Sequence, residues 1–323
     1  MPFSPVGRVL AVVALVAATL SLHQSSNADD WYAGIPLNDG TVNDDWVSAA
    51  GGGMGYSKLA MQWFRSPAAM TIARTVTYNT SSDPLAQGTW IHAQAYLVSP
   101  GGAPGNYGYM APVTVRSVGF GLMPVEATLQ MSQRRKDGYP LPLLVDLKGV
   151  NYQELVNGQY HNTVHVMDPV VVDDSFNVSI LRVKIDGQDV GLKPGCRTVT
   201  PAPVHLVGPG HTIDTPQAEA QWYATHDPKS YFNPLYGGYM AGTITIPAFK
   251  GCITRTGDDI SALMTKSASG PGNPIEARSS WPCLNPDLKQ GVVVWPVAPG
   301  KNTPKKAGCE GVKEDPYPTT APQ

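Results

Sequence analysis

The stretch GTITIPAFKGC, residues 242–252, indicates the fold class on its own. Its opening residues alternate large side chains with small or polar ones, a period of two that is typical of a half-buried β-strand. Pro247 then closes the strand at a point where no N–H is needed for pairing, and the stretch stops at Cys252. We therefore expect a β-rich protein with a cysteine close to one of its strands.

The same alternation recurs along much of the chain. Residues 69–78 place four large side chains at even positions, namely Met70, Ile72, Val76 and Tyr78. Further strands are predicted at 90–98, 113–120, 125–134, 141–147, 177–185, 204–207, 242–246 and 292–297, with hairpin turns at Asp137-Gly138 and Asp186-Gly187. With 33 Gly and 30 Pro, the sequence predicts an all-β fold of one or two antiparallel β-sandwich layers, Ig-like or jelly-roll-like, joined by long Gly/Pro-rich loops.

One short helix interrupts this pattern. Residues 256–259 (Thr-Gly-Asp-Asp) offer capping side chains, and Ile260, Leu263 and Met264 follow at helical spacing. We expect the helix to end by Lys266 and residues 269–273 to form a tight loop, because Ser-Gly-Pro-Gly does not continue a helix. Residues 29–66 are rich in aromatic and turn-forming residues and are predicted to be an irregular lead-in.

Residues 1–28 have the pattern of a secretory signal peptide. Arg8 precedes an apolar run over 9–20, and small residues lead to a cleavage site between Ala28 and Asp29, which leaves 295 of the 323 residues. A membrane anchor is the alternative, but the run is shorter than the roughly 20 residues that span a bilayer. We expect a secreted or cell-wall-associated protein with no transmembrane segment after cleavage.

The charge balance argues against polyanionic partners. The chain has 23 Lys and Arg against 25 Asp and Glu, a net charge of −2, and charged residues make up only 15% of it. Nucleic acids and anionic membranes are bound by clustered basic residues, which this sequence lacks. No nucleic-acid partner and no cofactor are predicted, and the oligomeric state is left open.

Four cysteines, all in the second half of the chain, predict two disulfides. Cys196, Cys252, Cys283 and Cys309 are separated by 56, 31 and 26 residues, without the C-x-x-C spacing of a zinc site. Two pairings are plausible: Cys196–Cys252 with Cys283–Cys309, or Cys252–Cys283 with Cys196–Cys309. Either would suit an oxidising, extracellular compartment.

The distribution of cysteines also suggests how the exported chain is divided. Residues 29–165 contain none and are predicted to form an N-terminal β domain, and residues 166–284 a disulfide-bearing C-terminal β domain. Residues 285–323 are rich in Pro and Lys and are predicted to be a tail.

A series of short motifs between residues 178 and 283 resembles a block found in uncharacterised secreted proteins of actinobacteria. It comprises Arg182-Val183-Lys184-Ile185-Asp186-Gly187, Gly195-Cys196-Arg197-Thr198, Gly242-Thr243-Ile244-Thr245-Ile246-Pro247, Gly251-Cys252 and Ser269-Gly270-Pro271-Gly272-Asn273. The resemblance covers about a third of the chain. It implies export to or through an actinobacterial cell envelope and a β-rich fold, and it implies no activity, ligand or site residue.

A metal site is one candidate for chemistry. His161 and His165 are four residues apart, which places both on one face of a helix or a strand, and Asp168 is close in sequence. Against a zinc hydrolase, the segment lacks the Glu of H-E-x-x-H. Asp173 and Asp174 with nearby carbonyls are an alternative calcium site, without EF-hand spacing.

Hydrolase signatures are weak, and no catalytic residue is assigned. The sequence contains no G-x-S-x-G elbow, and His211, His226 and Asp227 would reach a serine only through tertiary contacts. Asp173 and Asp174 would point to opposite faces of a strand, which does not suit the paired carboxyls of a glycosidase.

Aromatic residues are the more suggestive feature. Candidate ligand-binding residues lie in two aromatic-rich stretches: Trp63, Trp222, Tyr223, Tyr231, Tyr236 and Tyr239. Such rings can stack on sugars or bury apolar groups of a partner, and the alternative is that they plug the open ends of the sandwiches.

These observations favour a secreted or envelope-associated, non-enzymatic β-sandwich protein. It would act by surface contact, in envelope structure, adhesion, or the binding of a cell-envelope glycan or an exported protein. The alternative is an envelope hydrolase acting on a glycan or an ester. A binding protein should expose its aromatic rings, whereas an enzyme should bring together at least two of His161, His165, His211, His226, Asp173 and Asp227 in a cleft.

Overall fold

The computed structural model describes residues 44–294, with gaps at 80, 82, 99–107, 120–121, 215–221, 224, 234–236, 281–286 and 290–291. The predicted leader over 1–28, Tyr236, Cys283 and Cys309 therefore lie outside the described residues, as does most of the predicted tail.

Nine strands precede residue 168. They are β1 (Asp44–Ser57), β2 (Gln62–Asn79), β3 (Ala86–Val98), β4 (Val113–Gly119), β5 (Met123–Gln133), β6 (Arg135–Lys136), β7 (Tyr139–Pro140), β8 (Leu143–Val156) and β9 (Gln159–Met167).

Eleven more strands and an α-helix follow. The strands are β10 (Val170–Ile185), β11 (Gln188–Asp189), β12 (Arg197–Thr198), β13 (Ala202–Gly208), β14 (His211–Asp214), β15 (Phe232–Asn233), β16 (Gly237–Ile246), β17 (Phe249–Lys250), β18 (Gly270–Ser280), β19 (Asp287–Lys289) and β20 (Val292–Val294). The helix α1 spans Ser261–Ala268, and a 3₁₀ turn spans Pro228–Ser230.

The predicted all-β, antiparallel fold is confirmed. Sixteen of the described strands form one antiparallel sheet with the order β14-β9-β8-β3-β2-β1-β18-β16-β13-β10-β12-β17. Strands β5, β11 and β15 join it as side pairings, β5 to β10, β11 to β10 and β15 to β16, and β4 pairs with β5. Strands from the two sides of residue 165 pair with each other, namely β1 with β18, β5 with β10 and β9 with β14. The division of the chain into two domains at that residue stays a prediction.

The sheet curls so that two of its parts face each other across a core. Strand β10 packs against β8, and β4 packs against β2. The core is lined from β10 by Phe176, Val178 and Ile180, and Leu97 of β3 and Leu143 of β8 pack against it. Strands from both halves of the chain thus bury one another in a sandwich-like arrangement.

The stretch 242–252 runs from β16, inside the sheet, to β17 at the end of the strand order. In β16, Ile244 is buried in the core while Thr243 faces outward, as the alternation predicts. Gly242 pairs with Leu206 of β13, and a Cβ at Gly242 would overlap the carbonyl oxygen of His205. Only glycine therefore allows β16 and β13 to pair this closely.

The disulfide next to this stretch joins Cys196 and Cys252. It is one of the two bonds of the first predicted pairing, whose other bond, Cys283–Cys309, lies outside the described residues. Cys196 and Cys252 are both buried beside α1. The backbone N–H of Cys252 donates to the Ser261 hydroxyl at 3.0 Å, which ties the cross-link to the start of the helix. The helix itself extends two residues beyond its predicted end.

Two predicted turns are confirmed, and two segments differ from their predictions. Asp137-Gly138 and Asp186-Gly187 have the positive φ angles of hairpin turns. In contrast, the predicted lead-in contains the long strand β1, and the predicted loop 269–273 lies largely within β18. The segment around His161, for which the sequence allows a helix or a strand, is β9. The Gly- and Pro-rich sequence of β18 does not by itself indicate a strand. The strand forms because its backbone N–H and C=O groups pair with both β1 and β16.

Candidate functional site

The aromatic residues predicted to bind a ligand are largely buried against one another. We call His211, Trp222, Tyr223, His226 and Tyr231 the aromatic cluster; Ile213 of β14 packs into it. The Trp222 ring stacks on His226 at a centroid distance of 3.8 Å and on His211 at 5.2 Å. Trp222 is only 9% exposed and Tyr223 only 5%, so the expectation that these rings are exposed is wrong.

A buried polar network orders the aromatic cluster. Asn233 donates to the Tyr223 hydroxyl at 2.9 Å, and that hydroxyl lies 2.6 Å from Nε2 of His211. A hydroxyl both donates and accepts, so the hydrogen of this second bond belongs to either Tyr223 or Nε2. Nδ1 is buried and has no hydrogen-bond partner among the described residues.

Burial controls the protonation of this network. Removal of the imidazole from water, with a smaller effect of nearby His165, lowers the pKa of His211 to about 4. Burial also raises the pKa of Tyr231, whose hydroxyl donates to the Tyr223 carbonyl at 3.2 Å. His211 is therefore uncharged at neutral pH, and the hydroxyls of Tyr223 and Tyr231 are hydrogen-bonded within the cluster.

The other predicted ligand-binding rings lie elsewhere. Tyr239 of β16 is buried beneath two cations, Arg278 at 5.4 Å and Lys229 at 5.7 Å from its ring centre. Trp63 of β2 is half-buried and packs edge-on against Tyr56 at 5.3 Å.

Two of the histidines predicted for an enzyme, His211 and His226, both stack on Trp222. His226 is exposed, and its Nδ1 bonds the Trp222 carbonyl at 2.7 Å. Asp227 does not join them, because its carboxylate caps the 3₁₀ turn by accepting from Lys229 N–H at 2.9 Å.

The predicted metal residues are separated by a bulge. His161 pairs with Glu154 and His165 with Asn151, while the register shifts between Tyr152 and Gln153 of β8. Since residues 151 and 154 point to opposite faces of β8, so do the two histidines, and the expectation of a shared face is wrong. In the part of the chain that the structure describes, no three His, Cys, Asp or Glu residues are grouped to hold a metal ion.

The predicted calcium carboxylates each have a different partner. Asp173 Oδ1 lies 2.6 Å from Nδ1 of His205, and Asp174 accepts from Arg134 at 3.0 Å. As expected for adjacent residues of a strand, they are directed to different neighbours.

An exposed polar and aromatic surface lies on the outer side of β3 and β8. We call it the Trp90 face, after Trp90, His92, Asp146 and Lys148. Trp90 is paired with Lys148 and His92 with Asp146, so all four side chains share one side of the sheet. Nδ1 of His92 lies 2.7 Å from Asp146, and Nζ of Lys148 lies 4.9 Å from the Trp90 ring centre.

A second exposed row crosses β10, β13 and β16. Asp173 is paired with His205, and His205 with Thr243, and all three side chains are exposed. The order carboxylate, imidazole and hydroxyl is that of a nucleophile activated by a base. The sequence analysis identified only Asp173 of this row. The three residues come together through the register of strands that are distant in sequence, which the local sequence does not show.

Exposed apolar side chains concentrate at hairpin ends. At the turn from β1 to β2, Met61 is 78% exposed and Leu59 is also exposed, and at the turn from β4 to β5, Leu122 is 90% exposed, with Val118 and Met123 beside it. We call these five residues the apolar tips. A third group, Tyr152, Leu155, Val156 and Tyr160, lies at the end of the β8–β9 hairpin.

Sequence analysis did not identify the Trp90 face, although a signal for it exists. In the segment from Trp90 to Ala95, aromatic or polar residues alternate with Ile91, Ala93 and Ala95, of which both alanines are buried.

Within the described residues, no helix combines the length and hydropathy needed to cross a membrane. No protein-family model, curated protein or solved structure matches this chain.

Proposed function

We propose that this protein is a secreted or cell-envelope-associated, non-enzymatic protein that acts by surface contact with another envelope component. The observation that carries the proposal is the exposure of the apolar tips. The disulfide between Cys196 and Cys252 supports export, because such bonds persist in oxidising compartments.

The apolar tips suit a contact surface because they expose large flexible side chains that no other described part of the chain covers. Contiguous exposed apolar groups on a soluble protein mark interaction sites, and methionine adapts its shape to different partners. Met61 has a φ of 51°, a left-handed value that it shares with the hairpin-turn residues Asp137 and Asp186.

The two hairpins that carry the apolar tips are joined. The side-chain amide of Gln62, next to Met61, donates to the carbonyl of Arg116 in β4. Arg116 and Lys184 both bond to Glu126 of β5, which holds the pKa of that carboxyl below its usual range and ties β4, β5 and β10 together. A partner would thus meet apolar side chains mounted on connected strands.

Cosedimentation of the purified protein with envelope fractions tests the proposal. We expect the double variant Met61→Ser with Leu122→Ser to bind at least about tenfold more weakly, since both anchors of the contact are lost. Leu181→Ser is the matched control, because Leu181 is an exposed leucine on β10 away from the tips, and it should bind like the wild type. Absence of binding by the wild type, or equal binding by the tip variant, would contradict the proposal.

An envelope hydrolase is the second candidate, favoured by the row Asp173, His205 and Thr243. Asp173 would orient His205 through Nδ1, so that Nε2 could take the proton of the Thr243 hydroxyl as its oxygen bonds to an ester carbonyl carbon. The imidazolium would give that proton to the departing alcohol, and a water activated by His205 would then release the acid and restore Thr243. Hydrolysis of p-nitrophenyl acetate by the wild type, lost in His205→Ala but kept in the matched variant His92→Ala, would establish it. Equal rates in all three proteins would exclude this row as the site.

A further inference from the structure

The Trp90 face has the composition of a saccharide-binding surface. Its four members lie on two neighbouring strands of the sheet, with Trp90 and His92 on β3 and Lys148 and Asp146 directly opposite on β8. Their backbones are fixed by strand pairing, and the other side of the same strands is buried, with Ala93 and Ala95 packed against Leu143 and Val145. The surface is therefore held in place before any ligand arrives.

We propose that the Trp90 face binds an uncharged oligosaccharide segment of an envelope polysaccharide. This goes beyond the proposed function, because it assigns a ligand class to a surface separate from the apolar tips.

The indole of Trp90 supplies the stacking part of such a site. The ring is half-buried, its Nε1 atom is turned inside and the Lys148 ammonium lies over it, so a sugar would contact the hydrocarbon part of the ring beside the lysine. A flat, electron-rich ring attracts the C–H groups on one side of a sugar ring. Leu144, on the same side of β8 and exposed, extends the apolar surface beyond His92 and Asp146.

The polar members match hydroxyl groups, which both donate and accept hydrogen bonds. Asp146 offers carboxylate acceptors, Lys148 offers ammonium donors, and Gln94, paired with Leu144, offers both. The 2.7 Å bond between His92 and Asp146 fixes the direction of the carboxylate. Donors and acceptors alternate across the surface within the reach of one ligand.

Charge and shape decide between ligand classes. Among the four members of the Trp90 face, one lysine is balanced by one aspartate, so they give no net charge that would attract a phosphate or an acidic chain. From Trp90 to Gln94 the strand rises about 14 Å, which suits several linked sugars rather than one. The surface lies on a face of the sheet, so a polymer can bind along it without entering a cleft.

Affinity electrophoresis with the purified full chain tests the inference. The gels would contain, one at a time, galactan, arabinan, mannan or glucan. We expect at least one polysaccharide to retard the wild type and the variant Trp90→Ala to lose at least about tenfold in affinity. Asp146→Asn and Lys148→Ala, at exposed positions that leave the core intact, should each weaken binding about threefold to tenfold.

Three controls make the result decisive. Arg182→Ala with Asp189→Asn removes an exposed cation–carboxylate pair from another part of the sheet and should leave the retardation unchanged. The apolar-tip variant should also be retarded normally, so that failure of the tips and failure of this surface are separable. Far-ultraviolet circular dichroism would show which variants are folded, and the exposed-position variants decide the outcome if Trp90→Ala does not fold. Lack of retardation by all four polysaccharides, or unchanged retardation in Asp146→Asn and Lys148→Ala, would overturn the inference.

Discussion

The aromatic cluster and the Trp90 face hold the same kinds of side chain in opposite environments. In the cluster, Trp222 and His211 are buried, and the imidazole bonds a tyrosine. On the Trp90 face, His92 bonds a carboxylate next to solvent. A tryptophan and a histidine close together are thus compatible both with a core and with an exposed surface.

The largest expected effect is a difference in the free energy of unfolding between variants of the two regions. Trp222→Ala should reduce the free energy of unfolding by about 3 kcal/mol or more, because it leaves a cavity among packed rings. Leu144→Ala, on the Trp90 face, should change it by less than about 0.5 kcal/mol, since the side chain is exposed. Urea denaturation of both variants measures the difference, and similar losses would show that the two regions are not distinct.

Acidification should affect the buried histidine in particular. The pKa of His211 is about 4 in the folded state and 6.5 when unperturbed, so the unfolded chain binds the extra proton as the pH falls from 6.5 to 4. This group should then cost about 3 kcal/mol of stability over that interval and nothing more below it.

The variant His211→Gln isolates this effect from that of the carboxylates. Its stability should decline less steeply than that of the wild type between pH 6.5 and 4, as measured by urea unfolding at several pH values. Parallel curves for the two proteins would mean that His211 is not buried in a neutral form.

The exposed pair should give the smallest effect. A double-mutant cycle on His92 and Asp146 should yield a coupling below about 1 kcal/mol that decreases as salt is added, because water screens both side chains. The same cycle on His205 and Asp173 should agree within error. A salt-independent coupling above about 2 kcal/mol would mean that the Trp90 face is shielded from solvent.

Alternation was sufficient to predict the fold class and most of the longer strands. It failed where strands owe their existence to distant partners. In β1, the run Gly51-Gly52-Gly53 offers no side-chain pattern, yet it pairs with both β2 and β18. In β18, Pro271 and two glycines hide a strand that lies between β1 and β16. Backbone pairing of this kind is set by tertiary structure and leaves little trace in local sequence.

The candidate sites, too, could be predicted from local sequence only in part. The sequence spacing of His161 and His165 predicted a shared face, but one extra residue in β9 opposite β8 reverses it. The pairs His92 with Asp146 and His205 with Asp173 depend on register between strands more than 30 residues apart. Alternation around Trp90 could have identified its outward side, whereas its partners on β8 require the structure.

The bond between Cys196 and Cys252 encloses β13, β14, the aromatic cluster and β16 in one covalent ring. A protease that cuts the chain once anywhere between these cysteines therefore releases no fragment. The nicked molecule would run as a single band on a denaturing gel and divide into two only after a reductant opens the ring, so damage to this region would go unnoticed in an oxidising environment.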